Sequence, residues 1–157
     1  MTQTERRLFL IRSLLREKTE YRDLPIPQDA NGQRQLLRSL MNVRGPRAIG
    51  ADFLEIQDAY LRREIEEAGI TCLEELEPVC GELYLWQGDI TRLRCGAIVN
   101  AANSGMTGCY VPCHACIDNC IHTFAGVQLR LDCAGLMARQ GHEEPTGQAK
   151  ITRAYNL

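Results

Sequence analysis

Residues 97–116 read AIVNAANSGMTGCYVPCHAC, and this stretch decides how the chain is built. Ala97, Ile98 and Val99 form a short apolar run suited to a strand buried on both faces, as strands of parallel sheets are. The run passes into asparagines and glycines, and then into three cysteines and one histidine within the eight residues 109–116. A long irregular loop of this kind between a strand and a helix is uncommon in compact domains and is usually functional. Glycines ahead of the thiols let a ligand approach the backbone closely. Thiolates beside an imidazole are donors suited to zinc. The loop therefore predicts a metal site built against a small-molecule cleft, with Cys109, Cys113, His114 and Cys116 as candidate ligands.

Working outward, the sequence on either side alternates strand and helix signals. LYLWQGDI (83–90) reads as a strand from Leu83 to Trp86 that ends at Gly88-Asp89. IDNCIHTFAGVQLRLDCAGLMARQG (117–141) reads as one long helix, with Ile117, Ile121, Phe124, Leu131 and Leu136 near one side and Gly141 as its stop. Asp118 is placed to cap it. GHEEPTG (141–147) reads as a turn, and QAKITRAYNL (148–157) as a third strand or its start. The order argues an α/β layered domain.

The first 78 residues have another character. They hold 26 of the 38 charged residues but only one of the eight cysteines, Cys72. Leu8, Ile11, Leu14 and Leu15 share one helical face, and Leu36, Leu37, Leu40 and Met41 mark a second helix. Phe53, Ile56, Tyr60, Leu61 and Ile65 mark a third, opened by Asp52 with Glu55 three residues on, in the manner of a capping box. DLPIP (23–27) and RGP (44–46) separate the helices. The predicted division is a helical N-terminal extension over 1–78 and a layered domain over 79–157.

Composition bounds the function. A net charge of -2 gives no general attraction to nucleic acid or to anionic membrane. No apolar run approaches the length of a membrane span. The N-terminus interleaves its apolar residues with arginines, unlike a signal peptide, which predicts a cytoplasmic location. In that reducing compartment eight cysteines point to metal binding or catalysis ahead of a disulfide framework.

GDI (88–90), AIVNAANSGMTG (97–108) and PTGQAKIT (145–152), in this order, resemble macrodomains, the ADP-ribose-binding fold. GCYVPCHACIDNCIH (108–122) resembles the zinc-dependent microbial branch, whose members remove ADP-ribose from proteins and carry a helical N-terminal extension. The resemblance implies a macrodomain-like three-layer α/β/α sandwich. It also implies a second glycine-rich loop for the pyrophosphate beyond Leu157, so the expectation is that only the N-terminal half of that sandwich is present. By the family's pattern Asp89 accepts from the adenine amino group, with the backbone N–H of Ile90 beside it. Asn103 contacts the distal ribose, and Asn100 positions the loop or that ribose. Asn100 and Asn103 are accordingly the candidate catalytic residues, and Asp89, Ile90, Asn100 and Asn103 the candidate ADP-ribose contacts. Read from the residues alone, Asp89 is first of all a helix N-cap ahead of Ile-Thr-Arg.

For the metal, Cys109, His114 and Cys116 are the chosen zinc ligands. Cys113 and His114 are neighbours, and successive side chains seldom converge on one ion, while the family resemblance implies two cysteines and one histidine. Cys113 is then a nearby thiol or a substitute ligand. Three ligands leave a position for water or substrate, whereas four would close a structural site. Cys120 and His122 read as core residues of the following helix. The implied activity is zinc-dependent hydrolysis of protein-linked ADP-ribose. The alternative is an ADP-ribose-binding reader with a structural zinc, inactive or incomplete in this chain. The partner is an ADP-ribosylated protein, and the gene neighbourhood of related family members implies a lipoyl-carrier-like one.

Overall fold

The computed structural model describes all of residues 1–157. Three helices come first: α1 (Gln3–Arg16), α2 (Ala30–Val43) and α3 (Ala51–Ala68). Thr2 opens α1 with a complete capping box, its hydroxyl accepting from the Glu5 amide while the Glu5 carboxylate takes the Thr2 amide. Asp29 opens α2 by accepting from the Gly32 amide at 2.8 Å. The Asp52–Glu55 box expected for α3 does not form. Gly50 occupies the N-cap without a side-chain bond, and Asp52 lies inside the first turn, where its charge suits the helix dipole.

The apolar stripes of these helices meet as the sequence predicts. Leu10, Ile11, Leu14 and Leu15 of α1 pack on Leu37, Leu40 and Met41 of α2 and on Phe53, Tyr60 and Leu61 of α3. Each fully buried leucine contributes about 1.5–3 kcal/mol relative to exposure. Val127 joins the same cluster, so the helical core reaches into the later part of the chain.

Beyond α3 the regular structure is sparse. β1 (Thr71–Cys72), β2 (Pro78–Cys80), β3 (Leu83–Tyr84) and β4 (Leu93–Arg94) form two small sheets. β1 pairs in parallel with β4, and β2 pairs antiparallel with β3 across an irregular register. Helices and small sheets are mixed, in keeping with an α/β class. Three strand expectations need correction. The strand at 83–86 is reduced to Leu83–Tyr84, and residues 97–99 and 148–157 carry no strand. Val99 is 88% exposed and Ile151 94% exposed. A strand is defined by the neighbour it bonds to, and no segment pairs with either stretch.

The single long helix expected over 117–141 is two helices, α4 (Ile117–Ala125) and α5 (Val127–Gln140). Gly126 breaks them at φ +100, a conformation open to glycine. Gln57 of α3 fills the break, its Oε1 accepting the Val127 amide at 3.0 Å and its Nε2 donating to Gln128 at 2.7 Å. The break also redirects the buried face, which runs through Ile121, Ala125, Leu129 and Cys133 and leaves Ile117 and Leu131 at the surface. Gly141 ends α5 in the left-handed conformation, as expected.

Candidate metal centre and ligand loop

The loop from 97 to 116 carries the candidate site, and α4 forms its floor. Cys109, His114 and Cys116 bring one donor atom each to a group whose atoms all lie within 4.8 Å of one another. Cys109 Sγ and His114 Nδ1 are 3.5 Å apart. His114 is exposed while the two cysteines are half-buried, so the group faces solvent on one side. A tetrahedral zinc site with bonds of about 2.0–2.3 Å needs donors roughly this close, and two thiolates with one imidazole are its customary donors. The Cys109–His114 pair already stands at such a spacing, and the three residues fit the ion by donor type and by their convergence within 4.8 Å.

Cys113 stands apart from this group. Its thiol lies 3.2 Å from the Ser39 hydroxyl and 3.4 Å from the Gln35 carbonyl, both on α2. Its φ of 52° turns the backbone so that Cys113 and His114 point different ways. The substitute-ligand role for Cys113 is thus not what the geometry brings together.

Cys116 is the N-cap of α4, its sulfur accepting from the Asn119 amide at 3.4 Å. The cap expected from Asp118 is corrected accordingly. Asp118 lies inside the first turn and is buried, where Oδ1 accepts from Asn100 Nδ2 at 2.8 Å. Burial pushes the Cys116 thiol above its ordinary pKa, and the neighbouring Cys109 adds to the rise. A cation in the group would oppose that rise, because metal binding needs the thiolate.

The two asparagines are both engaged in shaping the loop. Asn100 is tied to Asp118, which leaves its own Oδ1 buried with no partner. Asn103 Oδ1 accepts the Gly105 amide at 3.0 Å, and its Nδ2 reaches the Gly108 carbonyl at 3.4 Å. Gly108 has a φ of +84°, and a Cβ there would stand 2.7 Å from the His122 ring. Only glycine lets the loop pass over that imidazole. His122 is buried, and burial pushes its pKa down to about 4 against the opposing pull of Asp118. It is neutral at physiological pH and serves as packing, with Nδ1 unpartnered.

Asp89 and Ile90 lie in a separate short 3-10 turn. Asp89 Oδ1 accepts from the amide and the hydroxyl of Thr91, the capping arrangement that the residues alone suggested. Its other oxygen faces Arg92 at 3.7 Å and stays 41% exposed with its side chain.

Sequence reasoning missed the residues that hold the loop from outside. Arg130 of α5 donates to the carbonyls of Met41, Asn42 and Arg44 at the end of α2, to that of Cys109 at 3.3 Å, and stacks over Tyr110 at 4.2 Å. Asn119 donates to the carbonyls of Cys109 and Val111. Arg38, Ser39 and Asn42 reach the loop from α2. The available signal was their spacing together with Gln35, a polar stripe at i, i+3, i+4 and i+7 opposite the leucines of α2.

A family model described as Macro domain matches residues 99–157. The chain is 63% identical over 161 residues to the Protein-ADP-ribose hydrolase of Treponema medium, covering 100% of this chain and 62% of that protein. It is 45% identical over 150 residues to the Protein-ADP-ribose hydrolase of Staphylococcus aureus strain MRSA252, covering 95% and 56% respectively. A Probable bifunctional ADP-ribose hydrolase/ADP-ribosyltransferase of Fusarium oxysporum f. sp. cubense is 37% identical over 133 residues, which is 78% of this chain and 22% of that protein. The chain thus spans under two thirds of the length of these curated relatives. No helix is long and apolar enough to cross a membrane.

Proposed function

We propose that this chain is part of a zinc-dependent macrodomain that hydrolyses protein-linked ADP-ribose, with residues 79–157 in the macrodomain and 1–78 as its helical extension. The observation that carries the reading is the convergence of Cys109, His114 and Cys116 at the end of the loop that Asn100 begins. The names and identities of the two bacterial relatives support the reaction class.

In this reading the distal ribose lies over the loop between Asn100 and Gly108. Asn100 donates through its amide nitrogen to Asp118, and its Oδ1, which as an amide oxygen only accepts, is buried without a donor. A buried acceptor without a donor costs about 1–3 kcal/mol, and a ribose hydroxyl would supply the missing donor. Asn103 orients the same sugar, its amide able both to donate to and accept from vicinal hydroxyls. The exposed oxygen of Asp89 accepts from the adenine amino group, with the Ile90 amide alongside. Cys109, His114 and Cys116 would hold the zinc, which when bound supplies Lewis acidity next to the scissile bond. Gly108 and the neutral His122 fix the height of the loop between sugar and metal group.

The partner is an ADP-ribosylated protein. A lipoyl-carrier-like substrate and a cytoplasmic location are narrower forms of the proposal, supported by the resemblance.

The test is zinc content together with release of ADP-ribose from a modified protein. Cys116→Ala is expected to lose stoichiometric zinc and to lower turnover at least 100-fold. Full turnover by a metal-free variant would overturn the zinc reading, and tight ADP-ribose binding without release in the wild type would make the protein a reader.

A further inference from the structure

α2 has two faces. Leu37, Leu40 and Met41 enter the helical core, and the opposite stripe of Gln35, Arg38, Ser39 and Asn42 lies against the loop that presents the metal donors. A stripe of this kind ordinarily meets solvent. Here Arg38 and Asn42 meet the backbone of one loop at His114 and Cys113, while the Ser39 hydroxyl and the Gln35 carbonyl meet the Cys113 thiol.

Arg38 is its centre. A single nitrogen, Nη2, donates to the His114 carbonyl at 2.8 Å and to Asn119 Oδ1 at 2.9 Å, and lies 3.5 Å from Cys120 Sγ. Asn119, so oriented, turns its own amide nitrogen to the carbonyls of Cys109 and Val111. One turn along α2, Asn42 Oδ1 takes the Cys113 amide at 2.9 Å and holds that residue in its left-handed conformation. The carbonyls of two candidate ligands, Cys109 and His114, are therefore tied to α2 through Arg38 and its partner Asn119. Neither tie uses a donor atom of the metal group.

We propose that Arg38 is a positioning residue for the metal centre, by which the helical extension presets loop 109–116 so that Cys109, His114 and Cys116 converge before an ion arrives. The inference rests on the zinc reading of that group. Converging three soft donors in the absence of the ion has an ordering cost, and a loop already held by its carbonyls and the Cys113 amide has met that cost on folding. Outer partners of this kind typically account for about 10–100-fold in metal affinity.

The contact chemistry separates positioning from packing. Every polar contact of Arg38 with the loop runs through one nitrogen, and its Nε is buried without a partner. A point donor thus suffices. Arg38→Lys should keep cobalt(II) affinity within a few-fold of wild type, and Arg38→Met, which keeps the bulk and removes the donor, should lose about 10–100-fold. Arg38→Gln is the second donor-poor variant should Arg38→Met not fold. Cobalt(II) is titrated against a competing chelator and read by its thiolate charge-transfer absorption. Amide hydrogen exchange at Cys113 and His114 is measured in the metal-free proteins.

The expected result is weaker cobalt binding and faster exchange of those two amides in Arg38→Met, with α1 and α3 amides unchanged and both effects largely restored in Arg38→Lys. Wild-type affinity in Arg38→Met, or unchanged loop exchange, would overturn the positioning role. Equal losses in Met and Lys would also overturn it, since they would show packing of the guanidinium to be what matters. A wild-type protein that binds no cobalt would refute the zinc reading itself, and the exchange comparison would still decide whether Arg38 holds the loop.

Discussion

The helical part of this molecule and the part that follows it solve the folding problem by different means. In α1 to α3 the backbone bonds are made within each helix, so a short segment needs only a cap and an apolar face that finds a neighbour. Ten buried residues of these helices, joined by Val127 of α5, then close one core. After α3 the sequence is just as apolar in places, yet Leu85, Val99 and Ile151 lie in water. A strand cannot satisfy its own backbone, and its side chains are buried only when other strands and helices cover them. The one well-packed element of the second region, the α4–α5 pair, is again helical. The candidate site sits on the seam, with its donors in an irregular loop and its supports on helices from both regions.

The largest test of this contrast is Leu10→Ala. Leu10 is fully buried between α1 and its partners, so its truncation should cost about 2–5 kcal/mol in a urea or thermal unfolding experiment. A loss under 1 kcal/mol would mean that the helical region is loosely packed and that the contrast is false.

The helices could be read from the sequence because their evidence is local. The stripe Ile11, Leu14, Leu15 and the stripe Leu37, Leu40, Met41 are complete in themselves, and both are buried. The convergence of Cys109, His114 and Cys116 was also legible, because the three lie within eight residues. What was not legible depends on partners far along the chain. The break at Gly126 is set by Gln57, the state of Asn100 by Asp118, and the shape of the loop by Arg38, Asn42 and Arg130. Each of these would pass as an ordinary helix residue, and only its distant contact reveals a role. Asp89 shows the converse, a residue whose local capping role was readable and is what the structure holds.

His122 sharpens the comparison at the seam. Its pKa is pushed from 6.5 to about 4 by burial beneath Gly108. Below pH 6.5 the unfolded chain takes up a proton that the folded chain refuses until about pH 4. The stability tied to this histidine is thus complete above pH 6.5 and is lost as the pH falls towards 4, up to about 3 kcal/mol. His122→Gln should remove that slope, read as the wild-type minus variant unfolding free energy from pH 7 to pH 4. A difference that stays flat would place His122 in contact with solvent and the loop out of register with α4.

Val99→Thr should have the smallest effect, and it tests the other half of the contrast. The two side chains have the same shape, so the substitution changes little except whether a hydroxyl or a methyl faces its surroundings. In water that change is worth within about 0.5 kcal/mol. Beneath other apolar groups it leaves a hydroxyl unpaired and costs about 1–3 kcal/mol. With Val99 at 88% exposure the first value is expected for this chain by chemical denaturation. A loss above 1 kcal/mol would show an apolar cover over residues 97–99. The run AIV would then be a buried strand as its composition suggests, and the two regions would differ only in how far apart along the chain their partners lie.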